Sequence, residues 1–527
     1  MTGGAGARWW SATGVQAAAV SIVALAAYAT RLLPDVGFWD TAVFQGAAPT
    51  LGLTHPTGYP TFLLLGWLWT HALPMVTPAL AMNMLTAVAG ALAVGLVFVV
   101  ARRIGAGAPA AAAAALTLGL MVSFWQTAVR ADPHPLHVLL ATGIVLLLLE
   151  WDRRAQDRYL TAAALVFGLA MGNHMLTTML APGIGVYVLT TRPSILRRPR
   201  MVLKAAAALL LGMAVYAYVP LRAAANPAIH HDFAPTTVPL FLRYVLGQDF
   251  AGSMGFLSPD GLGAAARELG AFASQTGSAL TPAIAIAFGY LALAGLYALL
   301  RDRSWRTAWL LGATGALTLY ARLTYANGDI ERYALYPIAV AAALAALGAQ
   351  ALWDGLLATL RLDAMEPDPG DAGRAPDTGS NGASAGGSRP SRTRALVLVP
   401  AILLVVPIFL FLANGDRVRP MSARCYVDAV AAQAPRDASI VSWWSMTTPL
   451  WYAQAVEHAR PDITVILAGS LAIDEVARLQ PEGRPVVVIQ SDDVLQQIRD
   501  AGYALRQMDF CGREAWEVTG PAETGAP

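Results

Sequence analysis

Charge is scarce in this 527-residue chain: 13% of residues are Asp, Glu, Lys or Arg, against 56% that are hydrophobic. Soluble domains carry about 25% charged residues, so an ordinary soluble globule is excluded. Apolar runs of roughly 20 residues read instead as transmembrane helices. Lysine is almost missing, Lys204 being the only one, and a net charge of +2 gives nucleic-acid binding no electrostatic support. No Gly-rich phosphate loop, Ser-His-Asp arrangement or zinc-spaced His/Cys set occurs. No internal repeat is visible either, which counts against inverted-repeat transporters. Cysteine is confined to Cys425 and Cys511, near the C-terminus. A disulfide between them on an oxidising side of the membrane is one reading; two buried thiols is the other.

What is present is a pattern of charge between apolar runs. Windows of about 19 residues predict eleven spans, at 13–33, 78–101, 107–129, 135–151, 159–176, 178–193, 201–219, 277–300, 306–323, 333–356 and 395–413. The first run lacks a small-residue cleavage site and reads as a retained helix. Arginines cluster in every second gap, at Arg102 and Arg103, Arg153 to Arg158, Arg192 to Arg200 and Arg301 to Arg306. By the positive-inside rule those gaps are cytoplasmic. The loops 34–77, 130–134, 220–276 and 324–332 then share the outer face, and they hold acids and histidines. Within 34–77, Phe62 to Leu73 is apolar but short and Trp-rich, as in a helix lying in the interface. Residues 364–394 are Gly, Ser, Pro, Asp and Arg, the composition of a disordered cytoplasmic linker. From 414 to 527 the composition is ordinary, and three strands (439–444, 463–468, 485–490) alternate with helices at 449–459, 470–479 and 492–501. That alternation predicts a small extracytoplasmic α/β domain with a mostly parallel sheet.

Several outer-face residues are candidates for chemistry. Asp40, in Gly37-Phe38-Trp39-Asp40, sits just past the first helix beside aromatics and suits a general base for a hydroxyl acceptor. Capping of a short interfacial helix is the competing reading. His55-Pro56-Thr57-Gly58-Tyr59-Pro60 reads as a rigid turn, with His55 free to meet a phosphate or orient Asp40. Asp132, in Arg130-Ala131-Asp132-Pro133-His134, could join Asp40 as a second carboxylate, as positioner or metal ligand; otherwise it is a solvated acid paired with Arg130. Asn173-His174 needs partners at membrane depth, either another helix or a ligand. Arg222 suits a lipid phosphate or an interface anchor. Asp329, Glu331 and Arg332 either pair with one another at the surface or face the site.

Taken together these motifs resemble a membrane family once filed as a domain of unknown function, the transmembrane protein 260-like family, whose animal member is a protein O-mannosyltransferase. The resemblance is carried by Val36-Gly37-Phe38-Trp39-Asp40 and Leu51-Gly52-Leu53-Thr54-His55-Pro56-Thr57-Gly58-Tyr59-Pro60. Gly172-Asn173-His174, Tyr218-Val219-Pro220-Leu221-Arg222, Asn226-Pro227, Arg243-Tyr244 and Asp329-Ile330-Glu331-Arg332-Tyr333 follow in order. Trp451-Tyr452 and Arg460-Pro461-Asp462 extend it into the tail. The chain departs from the family in having Val43 where a second acid is usual, and Asp132-Pro133 where glutamate and an aromatic are common.

The resemblance implies a GT-C-like glycosyltransferase using a sugar on a polyprenyl phosphate, mannose in the first instance, with a protein Ser/Thr acceptor outside the cytoplasm. Asp40 and Asp132 are then the catalytic carboxylates, Asp40 as the base. His55, Tyr59 and Arg222 meet the donor phosphate and lipid, while Asn173, His174, Asp329, Glu331 and Arg332 position substrate. Metal dependence stays open, with a divalent ion as one option. The expected whole is a polytopic α-helical plasma-membrane protein with an extracytoplasmic α/β domain. Its rivals are a transporter or lipid-linked-sugar flippase, whose charges should line the midplane, and a non-catalytic membrane binding protein, to which Val43 lends some support.

Overall fold

The computed structural model describes residues 3–229, 234–253, 280–325, 330–363 and 405–521. The expected linker at 364–394, Asp329, and parts of the 220–276 loop and of the last apolar segment lie outside the described residues. A helix stands on each of the eleven apolar segments. Five are long and apolar enough to cross a membrane: Ala12–Ala29, Pro78–Arg103, His134–Arg154, Pro199–Ala224 and Ile330–Thr359. A sixth results if Ala108–Leu120 and Val122–Ala128, bent by 68° at Met121, form one broken span.

Pro78–Arg103 is the hub. It is apolar all round, which a helix tolerates only when surrounded. It packs on Gly3–Ala29, Ala108–Leu120, His134–Arg154 and Leu335–Asp363, and Val94, Val97 and Phe98 are among its buried side chains. Close approach is set by small residues elsewhere. Helices Asp157–Asn173 and Pro199–Met213 cross at Gly168 and Gly212. A Cβ on Gly168 would lie 2.3 Å from the Leu209 carbonyl oxygen, so the backbones touch, as small-residue crossings in membranes allow.

The first outer loop is helical twice. Asp40–Thr50 is nearly all buried, and Pro60–Ala72 buries Phe62, Leu63 and Gly66 while Leu65 and Leu68 face outward. The second helix covers most of the Phe62 to Leu73 segment that the sequence marks as a short apolar helix.

The tail is a five-stranded sheet ordered β2-β1-β3-β5-β4. Strands β1 (Ser439–Ser442), β2 (Thr464–Leu467) and β3 (Val486–Ile489) are parallel, whereas β5 (Glu514–Pro521) pairs antiparallel with β3 and with β4 (Tyr503–Asp509). Two corrections follow. The first strand stops at Ser442, and Trp444 begins a helix to Glu457 that the sequence reading starts at residue 449. The final hairpin was not anticipated, because β4 is only partly buried and carries Arg506 and Gln507 outward.

Cys425 and Cys511 form a disulfide across 86 residues of chain. It ties helix Arg424–Gln433 to the turn between β4 and β5. Replacing both cysteines by alanine in the full chain should lower tail stability by about 2–5 kcal/mol. The check is faster hydrogen exchange in Val486–Ile489; unchanged exchange there would refute the staple.

Candidate active site

Three distant parts of the chain meet at one guanidinium. Arg332 lies in the single turn Ile330–Ala334 that leads into helix Leu335–Asp363. Its Nη2 donates to Asp40 Oδ2 at 2.6 Å and its Nη1 to Asp132 Oδ2 at 3.0 Å. Asp132, 1% exposed, also accepts from His134 through both the backbone N–H (2.9 Å) and ring Nδ1 (2.7 Å). The remaining Asp40 oxygen, Oδ1, accepts from the indole Nε1 of Trp444 at 2.8 Å.

The alternatives left open by the sequence divide here. Asp40 is the first residue of its helix, and Trp39 at the N-cap makes no side-chain cap. A carboxylate there is favoured by the helix dipole, but its hydrogen bonds go to Arg332 and Trp444. Asp132 is a buried bridge to Arg332 and His134, not a solvated acid. Arg332 likewise bonds across 292 and 200 residues of chain instead of pairing locally. Glu331 is exposed, and Asp329 lies outside the described residues.

Burial pushes the Asp40 carboxyl up, but the charges of His55 and Arg332 and the hydrogen bonds from Arg332 and Trp444 outweigh it, and the group sits well below the usual carboxylate range. Burial acts on Asp132 in the same way and is overcome by His134, Arg332 and Arg130. The folded carboxyls are depressed relative to the unfolded reference of about 3.9. Their contribution to stability is therefore full above that reference and fades as pH falls toward the folded value. Both groups are anions at neutral pH.

A wall of rings encloses this bridge. His55 Nε2 lies 3.1 Å from the Tyr59 hydroxyl, and its ring packs edge-on to Phe44 and Trp444. Tyr59 leads to His174 (5.6 Å between centroids), and His174 to His134 (4.5 Å) and Tyr333 (5.2 Å). His174 Nδ1 accepts from the Leu176 N–H, which assigns the ring proton to Nε2. Asn173 takes the structural option: its amide donates to the Pro133 carbonyl in the Asp132 loop. Arg222 is also tied to backbone, with Nε on the Leu51 carbonyl (2.6 Å) and Nη2 on that of Thr50 (3.5 Å). Tyr218 and Tyr244 bind the Gly52 and Thr54 carbonyls beside it. These motif residues hold the 50–54 segment in shape.

Trp444 was missed. The Trp443-Trp444 pair was read as a strand end, and nothing local shows that it reaches a loop 404 residues earlier. Among the described residues no three His, Cys, Asp or Glu side chains gather as a metal-ligand group. The two carboxylates share a guanidinium instead.

Removing the shared cation strands two half-buried or buried anions. Arg332→Met should destabilise the chain by about 3–5 kcal/mol, and adding Asp132→Asn should return part of the loss. Thermal unfolding in detergent checks this; no recovery in the double variant would mean that the bridge does not hold the site.

Known proteins share parts of this chain. The family described as the protein O-mannosyl-transferase TMEM260 N-terminal domain matches residues 40–196. The mouse (Mus musculus) protein O-mannosyl-transferase TMEM260 is 26% identical over 259 residues, 47% of this chain and 36% of the mouse protein. The alignment thus spans about a third of that relative. The Archaeoglobus fulgidus oligosaccharyltransferase, solved with zinc and sulfate, superposes with a TM-score of 0.56 at 15% identity, over 96% of this chain and 74% of its own. ArnT from Cupriavidus metallidurans, bound to undecaprenyl phosphate, gives 0.55 at 14% identity, over 98% and 99%. The chain therefore shares the fold of these solved proteins, and its residues 40–196 are similar to the TMEM260 N-terminal domain family.

Proposed function

We propose that this chain is a membrane glycosyltransferase that moves a sugar, mannose by the TMEM260 likeness, from a polyprenyl phosphate to a Ser/Thr hydroxyl of an extracytoplasmic protein. The observation that carries the reading is the bridge of Asp40 and Asp132 on Arg332, beside the His55 and Tyr59 rings of the first outer loop. TMEM260 is a protein O-mannosyltransferase, and ArnT holds undecaprenyl phosphate on the same fold. The Cys425–Cys511 disulfide supports a tail on an oxidising face, as in a plasma-membrane protein whose C-terminal domain lies outside.

In this proposal the acceptor oxygen attacks the anomeric carbon as the bond from that carbon to the phosphate oxygen breaks. The acceptor proton passes to Asp40, and the polyprenyl phosphate leaves as an anion. Asp40 is a weak base while Arg332 and His55 hold its charge. A donor phosphate competes for the same guanidinium, and each share it takes returns basicity to the carboxylate. Donor binding would thus switch on the base. The phosphate role falls to Arg332 more than to Arg222, which is engaged with the Leu51 and Thr50 carbonyls. Asp132 and His134 fix Arg332, and His174 Nε2–H is a donor suited to a sugar or phosphate oxygen. Tyr59 and His55 flank the path, and the exposed Glu331 would meet substrate at the rim.

The test supplies expressing membranes with radiolabelled polyprenyl-phosphate-mannose and extracted periplasmic or cell-surface protein. Native chain should label protein, and Asp40→Asn should fall by about 10²–10⁴-fold while remaining folded in the membrane. Equal labelling by both would remove Asp40 from the mechanism; no labelling from any lipid-linked sugar would sink the transferase reading.

A further inference from the structure

The C-terminal domain is joined to the first outer loop along one strip of backbone, residue after residue. Arg424 grips Asp35 through Nε (3.0 Å) and Nη2 (2.8 Å) and also pairs with Glu457. The Val36 carbonyl accepts from the Ala423 N–H at 2.8 Å, and Gly37 bridges to Ser422. Phe38 is buried between the Tyr426 ring (5.9 Å) and the Arg513 guanidinium (5.1 Å). The Trp39 carbonyl accepts from Thr448 Oγ1 at 2.9 Å, and its ring stands edge-on to Trp443 at 5.0 Å. The strip ends at Asp40, where Trp444 donates to Oδ1.

Two features make this more than domain packing. The disulfide joins Cys425, next to Tyr426, with Cys511, two residues before Arg513; the covalent link therefore draws together the two groups that sandwich Phe38. Trp39 holds a backbone of φ 59° and ψ −146°, a conformation that L side chains adopt only when their surroundings impose it. It is the residue immediately before Asp40, and the helix Trp444–Glu457 binds it from the tail side through Thr448.

We infer that the C-terminal domain completes the catalytic site, with Trp444 as a positioning residue that fixes the Asp40 carboxylate toward the acceptor. This rests on the reading of Asp40 as the base. The indole occupies one lone pair of Oδ1 and Arg332 one of Oδ2, so neither oxygen can rotate freely and the remaining lone pairs keep a fixed direction. Trp444 is itself held edge-on between His55 (5.7 Å) and Trp451 (5.9 Å). A hydrogen bond from a rigid, uncharged donor sets orientation without adding a second permanent cation beside the base. The domain acts, on this inference, as a structural half of the active site and not as a tethered binding module.

The test is a double-mutant cycle on the full chain in membranes, with polyprenyl-phosphate-mannose as donor. Trp444→Phe keeps an aromatic ring and deletes the N–H; Trp516→Phe is the control elsewhere in the same domain. Trp444→Phe should lower kcat by about 10-fold or more, leave KM for the lipid donor unchanged, and cause no further loss in the Asp40→Asn background. Trp516→Phe should match the native chain. A Trp444→Phe chain with native kcat, a loss that appears in KM, or an equal further loss without Asp40 would overturn the inference while leaving the transferase reading intact. Full turnover by Asp40→Asn would overturn the base reading and this role together.

Discussion

The structure turns on the cost of placing two carboxylates side by side at the outer end of a helical bundle. Asp132 is buried, Asp40 nearly so, and two such anions cannot both stay ionised without a cation between them. Arg332 is that cation, and its planar fork gives each carboxylate one hydrogen bond. The arrangement dictates much of the surrounding fold. The turn carrying Arg332 must enter helix Leu335–Asp363 at one height, and the Asp132 loop must be fixed to the neighbouring helices. Asn83 bonds the Ala131 N–H, Thr86 the Asp132 N–H, and Asn173 the Pro133 carbonyl. The five-residue loop 129–133 is thereby pinned by polar side chains from two helices.

Asp40 needs the same precision from a longer and less regular loop, and receives it from two directions. The end of its helix and the segment after it are held by Tyr218, Arg222 and Tyr244, which bind carbonyls of residues 50–54. The approach to the helix is held by the tail, from Asp35 to Asp40. The buried Gln45 ties the two ends together, accepting from the Gly37 N–H and donating to Asn83 and the Asp35 carbonyl. Asn83 in turn bonds Ala131, so the Asp40 and Asp132 loops share one polar hub on helix Pro78–Arg103. Val43, where an acid is usual in the family, lies buried in the Asp40 helix, and an additional carboxylate there would require a further partner.

Much of this was legible in the sequence, and the reasons for the rest are physical. Apolar runs mark helices well because lipid or a packed bundle demands them. Asp40, Asp132 and Arg332 could be singled out because charge is rare here, and a rare charge at a helix end needs an explanation. Their mutual pairing could not be read: it joins residues separated by 200 and 292 positions, and no local pattern encodes a partner so remote. Arg222 shows the opposite failure. An arginine at an outer helix end suits a phosphate by type, but its direction depends on where the 50–54 carbonyls fall in space. The disulfide was one of two readings, since spacing alone gives no distance between thiols. Trp444 escaped because an aromatic pair after a short apolar run fits a strand end as well as it fits the first turn of a helix.

Sequence separation also constrains how such a site can be assembled. The Asp40 carboxylate takes one donor from residue 332 and another from residue 444, so it is incomplete until most of the chain has been made. Closure of such long loops costs entropy that later contacts must offset. The tail meets that cost with a covalent link and a row of contacts along Asp35 to Asp40, not with the single indole bond. The last contact in the row, the single hydrogen bond of Trp444 on Asp40, is the one that touches the proposed chemistry. A fold ordered in this way lets the domain interface be strong while the bond at the reacting carboxylate stays modest, as a carboxylate that must exchange a proton requires.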